Sequence, residues 1–424
     1  MGFNGVRKMK ARPRGDLIAT LDVGTTKVVC FIARIQENGE PKVIGIGHQI
    51  SRGVRAGTII DMDAAEKAIG HAVSSAEQMA DEQIRDILVN LSGGHPASQT
   101  IGIEMSIAGH DVGEIDLKRA LKAHHHAAIP ADREVIHAIP VGYSIDGSRG
   151  IRDPRGMFGE RLGVEIHLVT ANSGAVRNLA TCISRCHLET DGFVINPYAA
   201  GLACLVEDEM ELGCTVIDMG GGTTSIGVFF EGRMVFADCI PVGGLHVTND
   251  IARGLTTPVV HAERMKTLYG SAIPNVSDER ELIDVPQVGE EEPSQANHVP
   301  RSLLTGIIQP RMEEMFELVR SRLEASGFDK VAGRRVVLTG GGSQLQGVRE
   351  LAQLILDKQV RMGRPLAVQG LAEATCGPAF STAAGLLAYA VRHQGDLVLG
   401  GTSASDEPSG GLLGRLGGWF RDNL

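Results

Sequence analysis

The chain has 424 residues, 43% of them hydrophobic and 22% charged, with 54 glycines, values ordinary for a loop-rich globular α/β protein of two to three domains. A formal charge of −10 argues against a nucleic-acid-binding body, and no run of about twenty apolar residues is available to span a bilayer. The N-terminus lacks the apolar stretch of a secretory signal, Val6 spoils a myristoylation motif after Gly2, and seven scattered cysteines read as small buried side chains of a reducing cytoplasm.

In chain order, residues 1–16 carry Arg7, Lys8, Lys10, Arg12 and Arg14 and read as a flexible basic arm. Strands are predicted over 17–23, 28–35 and 42–50, then an amphipathic helix over 63–82 capped by Asp61 or Asp63. Residues 87–170 differ in texture: short strands at 87–92, 99–106, 140–145 and 164–170 surround one helix near 116–127, as in a compact insert. His124, His125 and His126 within it point to different sides of a helix, so they read as a solvated face. Helices follow over 175–187 and 197–206, with Cys182 and Cys186 read as packing residues, then a strand meander over 214–242. Two more helices are expected near 245–254 and 258–269, and the acidic, Pro-containing segment 274–300 reads as a loop or hairpin. A long helix over 302–326 has a core face of Leu304, Ile308, Met312, Met315, Phe316, Val319 and Leu323. The closing helix is 379–393, followed by a Gly/Ser/Asp linker at 395–410.

Three glycine turns interrupt this pattern. The first is Asp22-Val23-Gly24-Thr25-Thr26-Lys27 and the second is Asp218-Met219-Gly220-Gly221-Gly222-Thr223-Thr224-Ser225. Each ends a strand in an acidic residue and a hydroxyl-rich turn, whose backbone N–H groups can converge on an anion. Asp22 and Asp218 can hold a divalent cation through its water shell. Two such hairpins imply two lobes pinching one polyphosphate from opposite sides, with Lys27 as a point charge. The third turn, Gly340-Gly341-Gly342, ends the strand Val336-Val337-Leu338-Thr339, and a helix is expected from Gln344, so a flat group such as adenine could lie against it. Neither a P-loop nor a Gly-x-Gly-x-x-Gly fingerprint occurs.

The order of the three turns resembles the actin-like ATPases. Within them the chain is similar to the FtsA family of bacterial cell-division proteins. The match is carried by Leu21 to Lys27, Ser51-Arg52-Gly53 with Gly57 and Asp61, and Leu91-Ser92-Gly93-Gly94. It continues through Asp218 to Thr224, Ile240-Pro241 with Gly243-Gly244 and Val247-Thr248, and Leu338-Thr339-Gly340-Gly341. The resemblance implies an α/β, two-lobed actin-like fold around a nucleotide cleft. It divides the chain into subdomain 1A (17–86, 171–200 and 376–394) and a family-specific subdomain 1C at 87–170 in place of actin's 1B. Subdomain 2A covers 201–243 and 331–375, and subdomain 2B covers 244–330. It further implies Mg²⁺ and ATP, with Glu263 and Lys266 reaching the ribose and base, and filament formation. The C-terminal peptide of FtsZ is expected to dock near Arg311, and later division proteins through 1C. The location implied is peripheral, on the cytoplasmic face of the inner membrane at the septum. Two departures stand out. Ile195-Asn196-Pro197 has Asn where the chaperone ATPases have a Glu that helps set up hydrolysis, so at most slow hydrolysis is expected. The other is the basic arm. A type IV pilus assembly ATPase, a shape-determining filament protein, or a small-molecule kinase on the same fold are the alternatives.

The last segment, 411–424, carries Leu412, Leu413, Leu416, Trp419 and Phe420 at three- and four-residue spacing, and Trp419 is the chain's single Trp. A helix with that apolar stripe would lie in the bilayer interface. Burying five such side chains gives about 7–15 kcal/mol. Ordering the segment costs at least ~1 kcal/mol per residue, and its four glycines add roughly 1 each. One tail is therefore marginal, and binding is expected to depend on many tails along a filament, aided by the basic arm on anionic lipid.

Overall fold

The computed structural model describes residues 17–123, 128–289, 297–366 and 368–393. The basic arm, His124 to His126, the linker and the 411–424 segment with Leu412, Leu413, Leu416, Trp419 and Phe420 lie outside those residues.

Two five-stranded sheets repeat one topology. In the first, Leu17–Val23 is central, flanked on one side by the antiparallel meander Lys27–Ile35 and Pro41–Ile50, and on the other by Asp86–Leu91 and Glu189–Ile195 in parallel. In the second, Cys214–Met219 is central, with Thr224–Phe230 and Arg233–Ile240 antiparallel on one side and Arg335–Thr339 and Gln359–Met362 parallel on the other. Read outward from the central strand, the order and sense are the same. Each central strand ends in an aspartate followed by a glycine turn, so the repeat puts Asp22 and Asp218 at equivalent places. Both turns close alike: Val23 pairs with Val28 and Met219 with Thr224. The Gly24 amide donates to the Lys27 carbonyl at 2.9 Å, and the Gly220 amide to the Thr223 carbonyl at 2.8 Å.

The first helix, Met62–Ala80, is capped by Asp61, whose side chain accepts from the Ala64 amide. It lies against Pro41–Ile50, where a Cβ at Gly45 or Gly47 would strike the backbone at Ala76 or Ala72. Helices Asn196–Cys204 and Ser381–Arg392 cross where Gly385 meets the Ala199 carbonyl. The long helix Arg301–Ser326 buries all seven predicted core residues. It runs through Pro310, whose missing N–H and Gly306 partner are on the exposed face, where water can satisfy the carbonyl.

The insert forms its own antiparallel sheet, in the order Ala97–Asp111, Phe158–Asn172, Arg133–Ile145, Ser148–Ile151, packed on helix Glu114–Lys122. Two expectations need correction here. Residues 86–91 are not part of the insert but pair in the first sheet, so the inserted sheet begins at Ala97 rather than at 87. Its three long strands also run beyond the predicted ends. The sequence sign for the first correction is texture: Ile87-Leu88-Val89 is continuously apolar, as a parallel strand buried on both faces requires. The insert strand instead alternates, as in Ile101, Ile103, Met105, Ile107.

The insert touches both lobes. His137 accepts the Ile195 amide of the first sheet at 3.2 Å. His167 is buried between the Met234 carbonyl (2.9 Å) and Ser98 Oγ (2.8 Å), and Ser98 in turn accepts the Ala237 amide at 2.8 Å. Elsewhere, Leu282–Val285 and Asn297–Pro300 pair as a hairpin within the segment read as loop or hairpin. The helix expected from Gln344 begins later. Gly341–Gln344 is one 3-10 turn and the helix is Val348–Leu356, after Gly347 in a left-handed conformation.

Candidate nucleotide site

A continuous polar chain joins the tips of the two central strands. Asn90 Nδ2 donates to Asp22 Oδ1 at 2.7 Å and to Asn196 Oδ1 at 3.0 Å. Asn196 Nδ2 donates to Asp218 Oδ2 at 3.4 Å, which also accepts Thr382 Oγ1 at 3.0 Å. Asn90 Oδ1 accepts the Val23 amide at 2.6 Å, fixing the first turn's approach. Each amide acts as donor and acceptor at once, which no carboxylate could do between two aspartates. Asn196, expected only as a departure from a hydrolytic Glu, is thus the bridge between the lobes. Asn90 escaped sequence reasoning, although an Asn inside the apolar run Ile87 to Leu91 is a signal of a satisfied buried polar group.

Burial pushes the Asp22 carboxyl up to about 6, against the pull of Lys27, with the Asp218 charge adding to the rise. Asp218 is also raised by burial, which its Thr382 bond, Lys27 and Asn196 oppose. Burial lowers Lys27, which the two aspartates resist. Its ammonium donates to the Ala379 carbonyl and lies 4.4 Å over the Phe380 ring. One cation shared by two buried carboxylates leaves the site short of positive charge, which suits a divalent ion.

The glycines are needed for close approach more than for unusual torsions. A Cβ at Gly221 would overlap the Thr26 side chain, and one at Gly222 would sit 2.9 Å from Thr25 Cβ. The two turns therefore touch edge to edge, and the picture of a polyphosphate wedged between them gives way to a shared rim. Among the described residues, the amides of Thr25, Thr26, Gly221, Gly222 and Thr223 donate to no backbone acceptor. That donor set fits a phosphate. Thr25 Oγ1 accepts the Gly57 amide at 3.1 Å, and a Cβ at Gly57 would be 2.5 Å from the Gly93 nitrogen, which gives Gly57 and Gly93 their role around the first turn.

The third turn joins the same place. Gly340 is left-handed (φ +84°), and a Cβ there would strike the Asp218 carboxylate; a Cβ at Gly342 would come 3.0 Å from the Met219 carbonyl. The carbonyls of Gly220 and Gly221 accept the amides of Gly244 (2.9 Å) and Leu245 (2.8 Å), seating helix Gly244–Gly254 behind the second turn. Lys266, on Val259–Tyr269, donates to the Gly244 carbonyl (3.1 Å), Thr248 Oγ1 (2.8 Å) and Glu263 (2.7 Å). The Lys266 side chain is 16% exposed and that of Glu263 49%, so the pair has a packed ammonium and a carboxylate that reaches solvent. Arg311 lies away from these turns, paired with Asp250 at 2.6 Å and with Glu314.

Residues 215–385 match the family described as Cell division protein FtsA, and residues 93–170 match the SHS2 domain inserted in it. Over 433 residues the chain is 46% identical to the Cell division protein FtsA of Rhizobium meliloti (strain 1021), covering 99% of this chain and 98% of that one. The chain belongs to the FtsA family. The FtsA of Escherichia coli (strain K12) is 34% identical over 88% of this chain and 90% of its own. Among solved structures, the PilM-PilN type IV pilus biogenesis complex has TM-score 0.61 at 18% identity, covering 89% of this chain and 99% of that chain. MreB5 of Spiroplasma citri bound to ADP has TM-score 0.53 at 15% identity, covering 88% and 95%. These two share the actin-like fold. The expected fold and family stand, and the family match at 93–170 agrees with an insert that starts after Leu91.

Proposed function

We propose that this chain is an ATP-binding, polymerising actin-like protein that tethers an FtsZ ring to the cytoplasmic membrane and helps recruit later division proteins. The observation that carries the nucleotide reading is the Asp22–Asn90–Asn196–Asp218–Thr382 chain beneath two apposed glycine turns. ATP phosphates would lie along the rim formed by Gly24, Thr25, Thr26, Gly220, Gly221, Gly222, Thr223 and Thr224. Lys27 would add its charge, Gly340, Gly341 and Gly342 would back the adenine, and Glu263 and Lys266 would face the ribose. Asp22 and Asp218 would hold Mg²⁺ through water, and a bound ion would neutralise their charge and that of the phosphates. Asn196 supplies no general base, so nucleotide state serves polymer competence with slow turnover at most.

The FtsZ peptide, acidic at one end, would dock on the 244–330 subdomain at Arg311, whose planar fork suits a carboxylate. Asp250 and Glu314 already hold that guanidinium, so the peptide must share or displace them. The insert would meet later division proteins and neighbouring copies, and segment 411–424 would bind anionic inner-membrane lipid. Co-sedimentation with anionic vesicles, Mg-ATP and FtsZ tests this in one experiment. Wild type should carry FtsZ to the vesicle pellet. Deleting 411–424, or Trp419→Glu, should leave both proteins in the supernatant, whereas Arg311→Glu should pellet alone. Vesicle binding that survives the deletion refutes the anchor, and FtsZ recruitment that survives Arg311→Glu refutes that docking site.

A further inference from the structure

His137 belongs to the insert yet reaches into the first lobe. Its imidazole is buried, at 4% exposure, and Nε2 accepts the Ile195 amide at 3.2 Å. Glu189–Ile195 is the edge strand of the first sheet, and its Ile195 amide turns to the insert for its acceptor. A buried amide in that position needs an acceptor. The next residue is Asn196, the bridge between the two aspartates. The same ring packs edge-on against Tyr198, with centroids 5.2 Å apart, and tilted against Tyr389 at 5.9 Å. Tyr198 stands on Asn196–Cys204 and Tyr389 on Ser381–Arg392, and those two helices begin with Asn196 and Ser381-Thr382. Asn196 and Thr382 are the two donors that hold Asp218 Oδ2. Burial first, then the charges of His393 and His167, pushes the His137 ring down to about 3, so Nε2 keeps its lone pair at neutral pH.

We propose that His137 is a positioning residue for the nucleotide site. It fixes the first turn of Asn196–Cys204 and braces Ser381–Arg392 at Tyr389, about two turns beyond Thr382, so that Asn196 and Thr382 hold Asp218 in register with Asp22, and it thereby couples the seating of the insert to nucleotide affinity. A protein bound to the insert and a nucleotide bound in the cleft would then alter each other's affinity reciprocally. This rests on the nucleotide reading above and adds a residue that touches neither phosphate nor ion.

The test is calorimetric titration of the full chain with Mg-ATP, alongside circular dichroism to confirm folding. His137→Leu removes the acceptor and should raise Kd about fivefold or more. His137→Gln keeps an acceptor near the Nε2 position and should stay within about twofold of wild type. In an Asn196→Ala background, His137→Leu should add less than about twofold. If His137→Leu does not fold, His137→Asn, polar but too short to reach the Ile195 amide, takes its place. The proposal is overturned if the acceptor-less variant binds as wild type does. It is also overturned if the Gln variant loses as much affinity, or if the loss persists in full without Asn196. A wild-type chain that binds no Mg-ATP would instead remove the nucleotide reading itself.

Discussion

At the scale of single residues, the site is governed by carboxylates that burial makes reluctant to ionise. Asp22, raised to about 6, must lose its proton before a cation can sit beside it. Mg-ATP affinity should therefore fall as pH drops through 6, by up to about tenfold per pH unit for one proton. Asp22→Asn should bind weakly at every pH and lose most of that slope; an equally steep slope in the variant would contradict the assignment. The loss is not unfolding driven by Asp22. A raised carboxyl takes up its proton in the folded state first, so this group becomes less destabilising as pH falls through 6 and towards its unfolded value. The buried imidazoles act the other way. Held near 3 for His137 and near 4 for His167, they contribute stability that is full above about 6.5 and fades as pH falls. Circular dichroism across the titration separates the two effects.

The residues that a single strand-and-turn pattern can announce were legible: Asp22 and Asp218 at strand tips, and the three glycine runs. Thr382 was not, because it matters only through a partner 164 positions off, and Asn90, though visible as a polar residue in an apolar run, gave no sign of its partner 68 positions away. Nor was the reason for Gly221 and Gly222, which is contact with a turn two hundred residues earlier.

Among elements, the crossing of Asn196–Cys204 with Ser381–Arg392 is the most exacting, since it sets Asn196 and Thr382 at one carboxylate. Gly385 permits the approach, and a methyl there would meet the Ala199 carbonyl. Gly385→Ala should lower stability by at least roughly 1–3 kcal/mol through overpacking, although alanine is the better helix former by about 1 kcal/mol. Thermal unfolding checks this, and a melting temperature at or above wild type would contradict the packing argument. Helices with a clean apolar stripe, such as Arg301–Ser326, were legible to within a residue or so. The strand Asp86–Leu91 reads in sequence as continuous with the insert, because its neighbours in space, Leu17–Val23 and Glu189–Ile195, are distant in the chain. Where Gln344 was expected to open a helix, the left-handed Gly347 delays it to Val348.

Across the whole molecule, one sheet topology used twice brings two aspartate-tipped turns edge to edge, and an insert braced on both lobes by His137 and His167 spans the join. The first lobe supplies Asp22, Asn90, Asn196 and Thr382 and the second supplies Asp218, so the polar chain crosses the join and nucleotide binding and lobe closure are one event in this account. The calorimetric titration of Mg-ATP into wild type and Asp218→Ala at pH 7.5 tests that most directly. Asp218 is the point where Asn196 from the first lobe, Thr382 from the closing helix and Gly340 from the third turn converge. Its loss should weaken Mg-ATP binding by at least about 30-fold, roughly 2 kcal/mol, while circular dichroism stays close to wild type. Unchanged affinity in Asp218→Ala would contradict the site.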